Sequence, residues 1–191
     1  MTYLFFDTET TGLPQGFGRP AEDLDAWSTA RLVQLSWIVD RDGEEIGFSD
    51  LIIRPDGFEI PQEASAIHGI TQIEAMAKGA ELKRAVYYFL GAARMADVVV
   101  GHNIEFDLGV VGAELIRTWG KNYLDEVVKE DTMKASVDFC QIPSARGYKW
   151  PKLMELYTKL FGKEFDDAHD SMNDVRATRE CYWELKRIGI M

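Results

Sequence analysis

The chain has little of several residues and features that would narrow its function at once. It contains only two cysteines, three histidines and six prolines among 191 residues. Two widely separated cysteines provide neither a disulfide framework nor the paired spacing of a zinc site. No hydrophobic run approaches the roughly 18 residues that cross a membrane, and an acid at position 7 ends the apolar start too early for a signal peptide. We therefore expect no membrane partner and a location in the reducing cytoplasm.

Positive charge is also scarce. The sequence has 21 Lys and Arg residues against 32 Asp and Glu residues, which gives a net charge of −11. Proteins that grip long stretches of nucleic acid usually carry a basic surface, because phosphate contacts release counterions. The charge thus disfavours a protein that coats duplex, but it allows one that holds a few nucleotides through metal ions. At 46% hydrophobic residues the chain is expected to fold, and its length suits one domain over residues 1–191.

The charge is unevenly distributed along the chain. Residues 1–50 hold ten acids and three bases, whereas residues 134–163 hold six bases and two acids. The bases are Lys134, Arg146, Lys149, Lys152, Lys159 and Lys163. This basic stretch is either ordinary solvated surface or a local patch that faces phosphate. Under the second hypothesis, removing the charges of Lys149 and Lys152 weakens substrate binding and its salt dependence.

Hydrophobic periodicity predicts an α/β fold with one mixed sheet and helices on both faces. The expected strands cover residues 3–6, 31–40, 45–54, 96–101 and 126–131, and the expected helices cover 61–68, 81–95, 105–119, 152–161 and 173–188. Strands dominate the first half, and helices and strands then alternate. Residues 13–31 are too rich in Gly and Pro for regular structure, so we expect a connector or a functional loop there.

Two acids follow the first predicted strand. Asp7 and Glu9 are two residues apart, so in a strand they point to the same face while Thr8 points away. Two carboxylates that emerge from an apolar strand are costly unless they are exposed or bound to a cation. Taken alone, the pair is also compatible with an ordinary strand end.

A third acid, Asp107, falls in the first turn of the helix after the strand at 96–101. Its neighbours three and four residues on are valines, so it shares a partly apolar helix face. Acids are common at helix N-termini for electrostatic reasons, and that explanation remains open. His102, just before this helix, is expected to be a buried, hydrogen-bonded histidine instead of a catalyst.

Asp174 is the most informative acid, because it extends a core-facing stripe. Positions 174, 178, 181 and 185 follow helical spacing, and the last three are Thr, Cys and Leu. A carboxylate on that stripe needs a partner. His169 lies five residues earlier, so it can work beside Asp174 only from a loop before the helix. Three acids nearby, Asp166, Asp167 and Asp170, indicate a helix cap there.

These four acids can converge at one end of the sheet. Oxygen-only ligands suit Mg²⁺ or Mn²⁺, and two such ions would balance four negative charges. Two divalent ions can clamp a phosphodiester while a base removes a proton from the attacking water. Of the three histidines, His169 is best placed to be that base.

The sequence DTETTGL at residues 7–13, HNIEFD at 102–107, and His169 followed by Asp174 resemble three motifs of the DEDDh 3′–5′ exonucleases. This superfamily includes the proofreading epsilon subunit of bacterial DNA polymerase III, the branch that the chain resembles most. The segment AIHGIT at 66–71 is similar to a further family segment at the substrate groove. The resemblance covers residues 2 to about 185 in order, and it implies an RNase H-like fold.

The resemblance also implies roles for matching positions. Asp7, Glu9, Asp107 and Asp174 would hold two Mg²⁺ or Mn²⁺ ions, and His169 would be the general base. The implied contacts to the 3′-terminal nucleotides are Thr8, Thr10, Leu13, Ile67, His68, Asn103 and Phe106. The substrate would be the 3′ end of single-stranded or frayed DNA, and the products nucleoside 5′-monophosphates.

Two departures from the family pattern qualify these implications. The loop at 13–31 is long, and Phe17, Arg19 and Trp27 within it could shape substrate choice. Gln34 stands where the family often has a glutamate that does not bind metal. The chain also lacks a long tail after its last helix, so stable docking onto a polymerase is not expected.

Three alternatives remain at this stage. An exoribonuclease is the main one, since nothing in the sequence reads a 2′-hydroxyl directly. A non-catalytic nucleic-acid-binding or partner-docking module would have no need of four acids and His169 together. A phosphohydrolase with a covalent aspartyl intermediate would require an aspartate where the chain has Glu9, and it is disfavoured.

Overall fold

A mixed five-stranded sheet forms the centre of the structure, a computed structural model that describes residues 1–16, 18–166 and 168–191. The strands are β1 (Thr2–Thr10), β2 (Leu32–Arg41), β3 (Glu44–Ile52), β4 (Val98–Gly101) and β5 (Lys129–Asp131). Their spatial order is β3-β2-β1-β4-β5. Strand β1 pairs antiparallel with β2 and parallel with β4, so the sheet is mixed as the sequence predicts.

Eight helices surround the sheet in the described part of the chain. They are α1 (Gln62–His68), α2 (Gln72–Lys78), α3 (Leu82–Met95), α4 (Ile104–Trp119), α5 (Thr132–Ala135), α6 (Val137–Cys140), α7 (Leu153–Phe161) and α8 (Ser171–Arg187). All five predicted helices are present within a few residues of their expected bounds. None of the helices in the described ranges combines the length and apolar character needed to span a bilayer.

Several short elements were not expected. Helix α2 has seven residues and begins where the Thr71 hydroxyl accepts a hydrogen bond from the Glu74 N–H at 3.2 Å. The T-x-x-E pattern from Thr71 to Glu74 is typical of a helix N-terminus, so this helix could have been predicted from the sequence. A turn of 3₁₀ helix at Ala26–Thr29 interrupts the loop that was expected to be irregular. A small hairpin joins β6 (Pro143–Ser144) to β7 (Gly147–Tyr148).

Alternation along β1 explains the two-sided covering of the sheet. Leu4 and Phe6 face a core that includes α3 and α4, whereas Phe5 faces α8 through Val175 and Tyr182. All five side chains are almost fully buried, as expected for a central strand between two helical layers. The helices therefore lie on both faces, which confirms the expected α/β architecture.

The carboxyl ends of β1 and β4 lie at the same edge because the two strands are parallel. Helix α4 begins three residues after β4 ends. The first turn of α8 meets the same edge, where the Ser171 hydroxyl donates a hydrogen bond to the Asp7 carbonyl at 2.8 Å. One sheet edge thus gathers the end of a strand and the starts of two helices.

Candidate active site

Strand β1 supplies two of the four acids and positions a third. Asp7 and Glu9 lie on the α8 face of the strand, and Thr8 between them is buried. The Thr8 hydroxyl and the Thr8 N–H both donate to Oδ1 of Asp107, at 2.7 and 3.0 Å. The structure therefore gives Thr8 a direct part in holding Asp107, while its contact with substrate stays a prediction.

Asp107 lies in the first turn of α4 and is buried. Asn103 begins this helix in the left-handed region, with φ of 71°, which turns the chain sharply from β4 into α4. The Asn103 N–H donates to Oδ1 of Asp131 at 3.0 Å, which stabilises the turn. The sequence analysis did not single out Asp131. Its place at the end of a predicted strand, where Asp7 and Glu9 also stand in β1, could have marked it as a candidate.

Helix α8 supplies the fourth acid and the histidine. Asp170 caps the helix by accepting a hydrogen bond from the Asn173 N–H at 3.2 Å. His169 precedes the cap on the loop, with φ of 72°, and its side chain is exposed. The His169 N–H donates to Oδ2 of Asp174 at 3.3 Å, so the loop position required by the sequence is the one observed. Asp166 is exposed on this loop, and Asp167 lies outside the described residues.

The acids share one small region. One ligand atom each from Glu9, His169 and Asp174 lie within 4.8 Å of one another, so these three side chains can reach a common ion. Asp7 interacts electrostatically with all three other acids of the set. The structure thus brings together the four acids and the histidine that the sequence singled out.

Burial raises the pKa of every acid in this cluster, and the charges of other acids in the set raise it further for Asp7 and Glu9. Burial is the main cause for Asp7, whose pKa lies well above its ordinary range, and the charges of Asp107 and Asp174 raise it further. Burial and the charge of Asp174 raise the pKa of Glu9 to about 8.

The other two acids behave in the same way. Burial raises the pKa of Asp107 to about 7, against the opposing effect of the hydrogen bonds from Thr8. Burial also raises the pKa of Asp174 to about 7, against the opposing effect of the His169 N–H. Four carboxylates with raised pKa values at one point need positive charge before all can ionise. Their oxygen atoms fit hard divalent cations such as Mg²⁺ and Mn²⁺.

These pKa shifts predict how pH and metal affect stability. The metal-free folded protein binds more protons than the unfolded chain between about pH 4.5 and 8, because Glu9, Asp107 and Asp174 have raised pKa values. Its stability should therefore fall as pH rises through that window. In EDTA we expect a Tm at least about 5 °C lower at pH 8 than at pH 5.5, measured by thermal unfolding. Mn²⁺ should raise the Tm more at pH 8 than at pH 5.5, and equal Tm values in EDTA would contradict this electrostatic description.

The residues implied as substrate contacts fall into two groups. Leu13, Asn103 and Phe106 line one groove, and Leu13 is 76% exposed. Ile67 and His68 lie on α1, where Ile67 is 60% exposed and His68 is buried. Thr10 stands at the end of β1 and donates its hydroxyl to the Gly12 carbonyl at 2.7 Å. The contacts of all these residues with nucleotides stay predictions.

Two of the histidines have structural hydrogen bonds. Nε2 of His102 donates to the Pro151 carbonyl at 3.0 Å, and Nδ1 lies 2.9 Å from the Thr132 hydroxyl. Burial lowers the pKa of His102, which favours the neutral ring; the residue is hydrogen-bonded as expected, but it is half-buried and not fully buried. Nδ1 of His68 accepts a hydrogen bond from the Ile70 N–H at 3.1 Å, and burial lowers the pKa of this histidine also.

Gln34 links two elements beside the cluster. It is buried on β2, its Oε1 accepts from the Ser171 N–H at 3.3 Å, and its Nε2 donates to Oδ1 of Asp50 at 2.8 Å. Gln34, which stands where the family often has a glutamate, therefore helps to hold the start of α8 against the sheet.

A buried ion network braces the loop after β1. Glu114 is fully buried on α4 and binds Nε of Arg31 at 2.7 Å and Nη1 of Arg117 at 3.2 Å. Nη2 of Arg117 donates to the Trp27 carbonyl at 3.0 Å. The same part of the loop holds Leu13, whose carbonyl accepts from the Thr29 hydroxyl at 2.7 Å. Glu114 lies seven residues after Asp107, in a run of buried residues of the same helix. An acid in such a run needs a partner, and the sequence analysis did not single it out.

Glu114→Gln tests this brace. The substitution leaves two arginines partly buried without their counter-charge, which costs about 3–5 kcal/mol for pairs of this kind. We expect the Tm to fall by at least about 6 °C and KM for an oligonucleotide to rise, because the loop that carries Leu13 loses its support. Thermal unfolding and steady-state kinetics measure both. Glu22→Gln, at an exposed acid of the same loop, is the control; equal Tm values for the two variants would contradict the brace.

Comparison with known proteins decides the family. A family model described as Exonuclease, RNase_T, matches residues 4–182, which is nearly the whole chain. The chain belongs to this exonuclease family. The resemblance drawn from the three motifs is thereby confirmed, and with it the expectation of an exonuclease at the level of the family.

Two curated relatives of the chain have DNA polymerase III in their names. One is a DNA polymerase III subunit epsilon-like protein of Rhodobacter capsulatus, 28% identical over 189 residues. The other is the PolC-type DNA polymerase III of Pediococcus pentosaceus, 23% identical over 185 residues. The alignments cover 97% and 96% of the chain, but only 24% and 11% of the two relatives.

Solved structures confirm the RNase H-like fold. E. coli Exonuclease I in complex with a dA16 oligonucleotide is 24% identical and superposes with a TM-score of 0.76 over 97% of this chain and 41% of that chain. A zinc-bound form of the E. coli Exonuclease I complex with single-stranded DNA is 25% identical, with a TM-score of 0.76 over 97% of this chain and 40% of that chain. The exonuclease chain thus corresponds to about two-fifths of Exonuclease I.

Proposed function

We propose that the chain is a metal-dependent 3′–5′ exonuclease that releases nucleoside 5′-monophosphates from single-stranded or frayed DNA. The observation that carries the proposal is the cluster of four carboxylates beside His169 at one sheet edge. Membership of the exonuclease family and the oligonucleotide complexes of Exonuclease I support it. We further propose that residues 1–191 work as a single exonuclease domain.

Asp7, Glu9, Asp107 and Asp174 would hold two Mg²⁺ or Mn²⁺ ions. The fit rests on an all-oxygen set of carboxylates and on their raised pKa values, which mark an excess of negative charge that two divalent ions would balance. When bound, such ions activate a water and stabilise charge on the phosphate and the leaving oxygen.

His169 takes the proton of the attacking water in this proposal. Its exposed ring lies on the loop before α8, and its backbone is held by Asp174. Histidine can accept a proton near neutral pH, and an exposed ring can pass it on to solvent. Because Glu9, His169 and Asp174 can also reach a common ion, the test of this role must separate a base from a metal ligand.

In this proposal, the side chains that contact the substrate hold the 3′ end of the strand without recognising its base sequence. Leu13, Ile67 and Phe106 would pack against the terminal bases, and Thr10, His68 and Asn103 would provide polar contacts. Packing against base faces is tolerant of sequence, because every base has an apolar face. This tolerance suits an enzyme that digests any 3′ end.

RNA trimming is the second candidate, and a non-catalytic binding module the third. DNA is favoured because the names of both curated relatives include DNA polymerase III, and because E. coli Exonuclease I has been solved in complex with a dA16 oligonucleotide. A non-catalytic module would have no use for four clustered acids with raised pKa values. The cytoplasmic location and the absence of stable polymerase docking stay predictions.

End-labelled oligonucleotides test the direction of digestion and the preference for DNA or RNA. Matched single-stranded DNA and RNA, each labelled at the 5′ or the 3′ end, would be incubated with Mg²⁺ or Mn²⁺. We expect the 5′-labelled DNA to shorten by single nucleotides while the 3′ label is released first. Faster cleavage of RNA would favour the second candidate, and binding without cleavage under any ion would favour the module.

A further inference from the structure

A row of polar side chains crosses the sheet beneath the first turn of α8. Ser36 on β2 lies opposite Asp7 on β1, and Gln34 lies opposite Glu9. Asp50 on β3 in turn lies opposite Ser36. Directly opposite residues of neighbouring strands point to the same face of the sheet. The row therefore leads from the acid cluster outward to the edge strand β3, on the face that α8 covers.

Four hydrogen bonds connect this row to the start of α8. Oδ1 of Asp50 accepts from the Ser36 hydroxyl and from Nε2 of Gln34, both at 2.8 Å. Oε1 of Gln34 accepts from the Ser171 N–H at 3.3 Å, and the Ser171 hydroxyl donates to the Asp7 carbonyl at 2.8 Å. Gln34, Ser36 and Ser171 are no more than 3% exposed, so water cannot replace these bonds when one partner is removed.

Asp50 determines the direction of the Gln34 amide. A side-chain amide has an oxygen that only accepts and an NH2 group that only donates. The Ser171 N–H can be paired only by the oxygen, so the NH2 group needs an acceptor on the β3 side. An ionised carboxylate is such an acceptor, because it cannot donate. Asp50 therefore stabilises the one orientation of Gln34 that pairs Ser171, and it does so through a charged, stronger hydrogen bond.

Asp50 can carry this charge because it lies at the rim of the sheet. It is exposed on β3, and together with Gln34 and Asp170 it lines a groove of about 470 Å³ beside the start of α8. Its carboxylate thus stays partly in solvent, which avoids the cost of burying an unpaired charge. Gln34, by contrast, is buried opposite Glu9 and is neutral. A neutral side chain at that position adds no further repulsion to the acid cluster.

Ser171 lies between the two site residues that α8 and its preceding loop supply. His169 comes two positions before it and Asp174 three positions after it. The His169 N–H donates to Oδ2 of Asp174, and the Asp174 N–H donates to the Asp170 carbonyl at 3.0 Å. His169 and Asp174 can reach a common ion with Glu9, so a shift in the first turn of α8 changes the site directly.

We propose that Asp50 is a positioning residue for the exonuclease reaction. It acts through the Gln34 amide on the first turn of α8, and it thereby places His169 and Asp174 against Glu9. In the described part of the chain its own hydrogen bonds go to β2, so it acts through other residues. The proposal rests on the proposed function and deepens it, because it adds a residue outside the set of metal ligands on which the reaction depends.

Single substitutions test this role. Asp50→Ala should lower kcat for single-stranded DNA about tenfold with little change in KM, because displaced reacting groups slow the chemical step. Without substrate, Mn²⁺ binding measured by isothermal titration calorimetry should weaken about tenfold, as is typical when an outer partner of metal ligands is lost. Asp50→Asn should recover most of both losses, because its oxygen still accepts from Gln34. Glu44→Ala, at an exposed acid of the same strand, is the control and should match the wild type.

A double substitution tests the link between the two side chains. Gln34→Glu places a second carboxylate against Asp50, so kcat should fall about tenfold or more. Adding Asp50→Asn should raise kcat again at least about threefold, because the new amide can donate to the new carboxylate. Far-UV circular dichroism and Tm confirm that each variant is folded. A double variant slower than Gln34→Glu alone, or a loss in Asp50→Ala that appears in KM only, would overturn the proposal.

Mn²⁺ binding separates this proposal from the proposed function. If the wild type binds Mn²⁺ but cleaves nothing with any ion, the proposed function fails, and Asp50 is still tested by whether Asp50→Ala weakens Mn²⁺ binding. If the wild type cleaves DNA, but Asp50→Ala and Glu44→Ala have equal kcat and equal Mn²⁺ affinity, only the positioning proposal fails. A wild type that neither binds Mn²⁺ nor cleaves would overturn both.

Discussion

Asp7→Asn is expected to lower kcat/KM for single-stranded DNA by at least about a thousandfold. Asp7 is the acid that interacts with all three of the others, and its pKa is raised well above its ordinary range by burial and by their charges. An amide keeps the shape of the side chain but removes the charge that would help to hold divalent ions. Steady-state cleavage of a labelled oligonucleotide measures the loss. Retention of more than about a tenth of wild-type activity would contradict the role of Asp7 as a metal ligand.

The same substitution should stabilise the metal-free protein. At pH 8 it removes a repelling carboxylate from beside Asp107, Asp174 and Glu9, so in EDTA the Tm should rise by about 2–6 °C. This difference in Tm should disappear when Mn²⁺ is added, because binding of the ion should raise the Tm of the wild type more than that of the variant. Asp56→Asn, at an exposed acid in a turn, is the control and should change neither activity nor Tm. A lower Tm for Asp7→Asn in EDTA would show that repulsion does not dominate at this position.

His169→Ala is expected to lower kcat by about a hundredfold to ten-thousandfold at saturating metal, the usual contribution of a general base. KM should change little, because the ring is exposed on the loop before α8 and does not line the groove beside Leu13. Added imidazole should restore part of the activity, since the exposed position leaves room for it. Initial rates with and without imidazole measure both effects.

A metal titration distinguishes the base from a ligand. Glu9, His169 and Asp174 can reach a common ion, so a ligand role for the histidine is a real alternative. If His169 is the base, kcat of His169→Ala stays low however much Mn²⁺ is added. Recovery of wild-type kcat at high Mn²⁺ would instead assign His169 to metal binding.

Three of the four acids could be found from the sequence because each of them breaks a local rule, whereas Asp107 lies in the first turn of a helix, where acids are common. Asp7 and Glu9 follow an apolar strand, and Asp174 lies on a stripe whose other members, Thr178, Cys181 and Leu185, are buried. A carboxylate in such a place needs compensation, and that requirement is visible without coordinates. The strand order and the meeting of β1, α4 and α8 then bring the acids together.

The supporting residues could not be found in the same way. Asp131 holds the Asn103 turn from 28 positions away, and Glu114 binds Arg31 from 83 positions away. Pairings over such distances depend on the packed fold and leave no local period in the sequence. Trp27 shows the same limit: the sequence placed it in a loop and among residues that could shape substrate choice, whereas the structure buries its ring against Gly109, beside the groove that Leu13 lines. Phe17, which was grouped with it, lies outside the described residues.

The most direct test of the central claim is the identity of the first product. An oligonucleotide labelled in its 3′-terminal nucleotide would be treated with the protein in Mn²⁺, and early products would be separated and weighed by mass spectrometry. We predict that all early label appears as a nucleoside 5′-monophosphate, that EDTA stops its release, and that Asp7→Asn releases almost none. Label released in longer fragments, release that continues in EDTA, or no release with any divalent ion would contradict the account.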